Sequence, residues 1–191
     1  MKSENLNLVQ IIVLVGKLLS ERRFDELGEM ACKDERVLEQ LVRTLRGDEV
    51  LFCFFAAAAL SKAGKAAVGP LVESLQDGRY PVRQAAALAL GDIGDLRAVG
   101  RLVELLDDKY YVVRQAAAIS LGKIGAVEAV EPLLKAIGDE NKLVRKAVVD
   151  ALGMIGDERA LPELVRVEAE DTEAVAKRAR EVMQQIRERG E

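Results

Sequence analysis

Apolar residues recur at helical spacing along most of this chain, in blocks that themselves repeat. Val82, Ala86, Ala89, Leu90 and Ile93 follow the i, i+4, i+7, i+8, i+11 spacing of one helix face. After a short break Val99, Leu102, Val103 and Leu106 do the same. The first block, VRQAAALALGDIG from Val82 to Gly94, returns as VRQAAAISLGKIG from Val113 and as VRKAVVDALGMIG from Val144, a constant spacing of 31. A second block keeps that period: AVGPLVESLQD from Ala67, AVGRLVELLDD from Ala98, AVEPLLKAIGD from Ala129 and ALPELVRVEAE from Ala160. Gly94 falls where a left-handed residue would end the first helix, and two or three residues separate it from the second. Each repeat is therefore predicted to be a helical hairpin.

One hairpin of this size cannot bury its apolar stripe, so it must stack on its neighbours. Repeated Ala and Gly on the sides of the first helix let backbones approach closely. The expected fold is all-α, an alpha-alpha superhelix: a right-handed α-solenoid of stacked hairpins in a single domain, residues 1–191. Upstream the pattern weakens. With one residue deleted in the turn at Gly64, FCFFAAAALSKAG from Phe52 keeps the register, and Leu38, Leu41, Val42 and Leu45 form the second helix of a degenerate unit. Downstream, Val175, Ala179, Met183 and Ile186 keep the register among Lys177, Arg178, Arg180, Glu181 and Arg187, the two-faced look of a terminal cap. The predicted organisation is an N-terminal helix (1–20), a degenerate hairpin (21–47), four repeats (48–170) and a capping helix (171–191).

The segment LVQIIVLVGKLL, Leu8 to Leu19, is apolar enough to raise a membrane question. It is shorter than the roughly 20 residues a span needs and is interrupted by Gln10 and Lys17. The preceding MKSENLN has no clear positive region and no small-residue cleavage site follows, which argues against a signal peptide. The expectation is a cytoplasmic protein with no membrane partner. Leu8, Ile11, Ile12, Val15, Leu18 and Leu19 would cover one face, and Val9, Val13 and Leu14 widen it. Phe52, Phe54 and Phe55 are the expected cover. Left uncovered, the patch predicts a homodimer formed through Ile12, Val13, Phe52 and Phe55.

Composition narrows the chemistry. The chain has no histidine, so imidazole bases, imidazole metal ligands and Ser-His or Cys-His relays are excluded. Cys32 and Cys53 lack C-x-x-C spacing and are expected to be buried, reduced thiols. A net charge of −4 argues against a dedicated nucleic-acid binder, which needs a basic surface for phosphates. No cofactor, metal or catalytic residue is expected, and the chain is read as a non-enzyme.

Two repeated motifs invite a functional reading. The G-x-x-G pairs at Gly91/Gly94, Gly122/Gly125 and Gly153/Gly156 also occur in KH domains, but here they recur at every hairpin without a sheet pattern, so structural turns are expected. Asp77/Arg83, Asp108/Arg114 and Asp139/Arg145 are each six apart. They are expected to form a ladder of charge-assisted hydrogen bonds tying successive turns together.

A two-helix unit with Asp six positions before the arginine of V-R-x-A, closed by L-G-x-I-G, resembles the short HEAT-like repeat of the phycobilisome-lyase type over about residues 48–187. Neither the W-x2-L-G-x2-Y of tetratricopeptide units nor the T-P-L-H of ankyrin units appears. The resemblance implies that the second helices line a concave binding surface. The residues there would be Pro70, Glu73 and Ser74, then Arg101, Glu104 and Leu105, then Pro132, Lys135 and Ala136, then Glu163, Arg166 and Val167, with Leu105 and Val167 apolar where water is expected. The candidate site is Glu73, Arg101, Glu104, Leu105, Lys135 and Arg166, with Tyr80, Tyr110 and Tyr111 at its rim as aromatic anchors. The expected function is a protein-interaction scaffold for a protein or peptide partner; the alternative is a phycobilin-lyase-like or other small-molecule-binding subunit. Two enzymes of similar architecture fit poorly. Iron-dependent deoxyhypusine hydroxylases need His-Glu motifs, and alkylpurine glycosylases use a basic groove bearing tryptophan; the chain has neither histidine nor tryptophan.

Overall fold

The computed structural model describes residues 6–190. Every regular element among them is helical: α1 (Leu8–Ser20), α2 (Phe24–Lys33), α3 (Glu35–Leu45), α4 (Val50–Lys62), α5 (Val68–Ser74), α6 (Tyr80–Ile93), α7 (Val99–Glu104), α8 (Tyr111–Ile124), α9 (Val130–Ala136), α10 (Lys142–Ile155), α11 (Leu161–Glu170) and α12 (Glu173–Gly190). Short 3-10 turns lead into α5, α7, α9 and α11. The helices gather into two compact units, the chain up to Asp95 and the chain from Leu96 onward. No helix among the described residues is long and apolar enough to cross a membrane.

In the first unit α1 opens on a capping box: the Asn7 side chain accepts from the Gln10 N–H at 3.0 Å, and the Gln10 side chain accepts from the Asn7 N–H at 2.9 Å. α2, α4 and α6 pack side by side, α3 lies against α2 and α4, and α5 against α6. Leu27, Leu41, Leu45, Leu60, Leu71 and Leu90 are fully buried between them, each contributing roughly 1.5–3 kcal/mol by leaving water. α2 and α4 touch at Gly28, where an added Cβ would lie 2.3 Å from the Cβ of Lys62.

The second unit repeats the arrangement with α8, α10 and α12 side by side, α7 against α8, α9 against α10 and α11 against α12. The two glycines of each G-x-x-G do different work here. Gly122 admits α10, since a Cβ there would sit 2.6 Å from the Ala151 Cα. Gly125 and Gly156 take φ of 71° and 77° and end α8 and α10 in the left-handed conformation, as Gly94 does for α6 at 74°. The motif is thus a turn plus a close helix contact, as the repetition suggested. α12 buries Val175, Ala179, Met183 and Ile186 and leaves Lys177, Arg180, Glu181 and Arg187 exposed.

Three expectations are corrected. Leu105 and Val167 are 8% and 7% exposed rather than facing water. The reason is local: the 3-10 turn Leu105–Asp107 at the end of α7 packs against α8, and α11 packs against α12, so these positions point into a helix that follows. On α1, Ile11, Val15, Leu18 and Leu19 are buried, but Leu8 and Ile12 are exposed together with Val9 and Val13. Of the cysteines, Cys53 is buried and Cys32 exposed, its Sγ 3.1 Å from the Ala63 carbonyl.

Candidate functional site

The outward surface of α7, α9 and α11 carries four of the nine predicted residues. α7 presents Arg101 and Glu104, whose side chains pair at 2.7 and 2.9 Å. α11 presents Arg166, paired with Glu163 at 2.7 Å and reaching Glu170 at 3.9 Å. α9 presents Lys135, exposed and without an ion pair among the described residues. Between two pre-paired helices, Lys135 is therefore the side chain on which an incoming carboxylate meets the least competition. Exposed pairs of the Arg101 kind are worth little to stability, so the surface is chemically available. Leu105, buried, does not belong to it.

Tyr110 is the N-cap of α8 and Tyr111 its first residue, 38% and 42% exposed, with the Lys109 ammonium 5.0 Å above the Tyr110 ring. They sit at the turn as predicted. On the first unit, Tyr80 opens α6 at 40% exposure, and Glu73 projects from α5 toward Arg46, 3.5 Å away.

The arginines form a ladder, but they meet the aspartates six residues away through the backbone carbonyl and not the carboxylate. Arg83, Arg114 and Arg145 each donate Nη1 to the backbone carbonyl of that aspartate, at 2.8, 2.9 and 2.9 Å. The carboxylate bonds run forward instead: Arg114 is bidentate on Asp139 at 2.6 and 3.0 Å, and Arg145 on Asp171 at 2.6 and 2.7 Å. Each aspartate also caps its own turn, Asp139 accepting from the Asn141 N–H at 2.7 Å and Asp171 from the Thr172 N–H at 2.6 Å. Its carboxylate is thereby turned toward the preceding arginine and away from its own. Burial pushes the Asp139 carboxyl up, but the Arg114 guanidinium and the Asn141 N–H outweigh it and hold the acid below its ordinary value. The Arg145 guanidinium does the same for Asp171 against a smaller effect of burial.

Two polar grooves of about 320 and 490 Å³ open beside these ladders. Arg145 in the first and Arg114 in the second are committed to turns, while Arg166 also lines the first and Lys135 the second. No group of three or more metal-ligating side chains converges among the described residues.

The first unit holds a different groove, of about 300 Å³, between α3 and α5. Leu38, Val42 and Pro70 form its floor, and Glu35, Glu39, Arg43 and Glu73 its rim. The sequence places Leu38 and Val42 in the second helix of a degenerate unit; both are half-buried. The available signal was the three glutamates flanking them on α3 and α5. On α1, Leu8, Val9, Ile12 and Val13 remain 51%, 69%, 43% and 66% exposed. Phe52 and Phe55, the expected cover, belong to an aromatic cluster in which Phe55 lies 5.6 Å from Phe24 and 6.0 Å from Phe52, with Arg22 over its ring.

Among known proteins, no curated sequence matches the chain. Among solved structures it is similar to the CpcE–CpcF complex of phycocyanin lyase from Nostoc sp. PCC7120, with 28% identity and a TM-score of 0.68, over 79% of this chain and 65% of that one. The chain thus spans just under two thirds of that relative. A designed armadillo repeat protein bound to the peptide (KR)4 matches at 21% identity and a TM-score of 0.63, over 95% of this chain and 100% of the other. Human deoxyhypusine hydroxylase in complex with glycerol matches at 20% and 0.57, over 97% and 82%. At those identities the last two share the fold and no more. The profile of HEAT repeats matches residues 38–122 and 101–184. With that match running across most of the helical hairpins described above, the chain belongs to the HEAT repeat family.

Proposed function

We propose that this chain is a non-catalytic scaffold that holds a protein segment on the face formed by α7, α9 and α11. The observation that carries the reading is the state of the charges there. Arg101 and Arg166 are pre-paired on helices flanking α9, while Lys135 is exposed without an ion pair among the described residues. Tyr110 and Tyr111 supply exposed amphipathic rings on the turn into α8. The designed armadillo protein with a bound peptide supports the reading by analogy of fold. The test is capture from native lysate with the intact protein beside an Arg101→Glu, Lys135→Glu variant, read by mass spectrometry. A client taken by the first and lost from the second is the expected outcome; identical capture by both removes this face from the proposal.

The likeness to the CpcE–CpcF complex supports a second reading, a bilin-binding subunit. Incubation with a bilin would then produce a visible-absorbing complex, and an unchanged spectrum ends that reading. The exposed α1 residues support self-association through Ile12 and Val13. Light scattering of the intact chain beside an Ile12→Glu, Val13→Glu variant separates dimer from monomer.

A further inference from the structure

We infer that the groove between α3 and α5 seats a basic segment of the partner protein, one apolar side chain on its floor with Lys or Arg on either side. The inference rests on the reading that the chain is a protein-binding scaffold and adds a second contact outside α7, α9 and α11.

The floor comes first. Leu38, Val42 and Pro70 are half-buried, so each presents apolar surface that a partner's Leu, Val or Met could remove from water. At about 300 Å³ the groove lies at the small end of ligand sites and is open along its length, which suits a side chain entering from a peptide.

The rim sets the charge. Glu35, Glu39 and Glu73 face Arg43 within the lining and Arg46 beside it, three acids against two bases, leaving one negative charge over. Glu39 and Arg43 stand 4.0 Å apart with side chains 60% and 64% exposed, too loose a pair to cancel in water. Glu73 is 75% exposed and 3.5 Å from Arg46. Glu35 has no ion pair among the described residues. Such a rim repels phosphate and carboxylate, which sets nucleic acid and acidic peptides aside. It attracts a cationic segment and quickens its arrival.

The test is fluorescence anisotropy of a labelled peptide, Lys-Leu-Lys-Lys-Leu-Lys, titrated with the full chain. Parallel titrations use one peptide with Glu for each Lys and another with Ser for each Leu. Three proteins are compared: the unaltered chain, Glu35→Lys/Glu39→Lys/Glu73→Lys, and a charge-matched control, Glu21→Lys/Glu29→Lys/Glu49→Lys, outside the groove. The expected result is saturable binding of the first peptide alone, weakened roughly tenfold or more by the groove reversal, much less by the control, and further by added salt. Equal losses in both variants, equal binding of the acidic or the serine peptide, or no saturable binding overturn the inference. The Arg101→Glu, Lys135→Glu variant distinguishes the two levels. Where that variant loses its client but the groove reversal changes nothing, only the groove assignment falls; where client capture survives both, the partner-face reading falls with it.

Discussion

The guanidinium of Arg114 lies bidentate on the carboxylate of Asp139, twenty-five residues further along the chain, at 2.6 and 3.0 Å. Its remaining nitrogen holds the Asp108 carbonyl at 2.9 Å. The two side chains are only 10% and 9% exposed, so each turn is clamped to the next by a pair that little water reaches. Replacing Arg114 by Met strands a largely buried carboxylate, at a cost on the order of 3 kcal/mol. Asp139→Asn keeps the cap on the Asn141 N–H and should cost less. The double variant should lose clearly less than the sum of the singles, measured by urea denaturation. Additive losses would mean that the pair is not coupled as the geometry says.

Gly122 and Gly125 separate two reasons for a glycine. An alanine at 122 brings its Cβ to 2.6 Å from the Ala151 Cα, which is backbone and cannot swing aside, so α8 and α10 must part, costing about 1–3 kcal/mol. At 125 there is open space, but φ is 71°, and alanine there costs about 1–2 kcal/mol in strain. Asparagine tolerates the left-handed region. Gly125→Asn should therefore be milder than Gly125→Ala, and Gly122→Asn harsher than Gly122→Ala, by thermal melting. The same order at both sites would show that one mechanism governs them.

Much of this was legible in the letters, because a 31-residue grid of apolar positions leaves a stacked hairpin few alternatives, and φ-positive glycines mark where each first helix stops. The failures share a physical cause. A helical wheel drawn on α7 alone places Leu105 opposite the core, but the wheel lacks α8, which covers the turn that Leu105 begins. The arginine ladder was half drawn: the bonds to the residue six back exist through its carbonyl, but the carboxylate partner is the next aspartate on. A guanidinium reaches far enough to choose the acid that its own turn cap has oriented. The α3–α5 groove lay in the degenerate unit, where Leu38 and Val42 fit a core pattern equally well.

The same clamps set the acid limb of stability. Asp139 and Asp171 have folded values below the ordinary carboxylate value, Asp139 despite its burial and Asp171 chiefly through Arg145. A depressed value means that protonation favours the unfolded chain. The contribution is complete above the unfolded value near pH 4 and is lost as pH falls through the folded value. Melting temperature should therefore drop between about pH 4 and lower values. Asp139→Asn should lower the melting temperature at neutral pH and flatten that drop. A parallel downward shift with an unchanged acid slope would assign the acid sensitivity to other carboxylates.

Leu105 and Lys135 now make opposite predictions, although both entered as candidates for one surface. Leu105 is 8% exposed and its side chain belongs to the contact between the end of α7 and α8. Leu105→Ala should cost on the order of 2–4 kcal/mol, through lost burial and the cavity left behind. Below its melting temperature, that variant should keep the affinity of the unaltered chain for a captured client. Lys135 is exposed on α9 without an ion pair among the described residues, so Lys135→Ala should leave the denaturation midpoint where it was and weaken the client. Calorimetric melting and a binding titration on the two variants decide the matter. If Leu105→Ala weakens binding at temperatures where it stays folded, the contact between α7 and α8 shapes the partner face itself, and the surface proposed on α7, α9 and α11 extends inward to that core position.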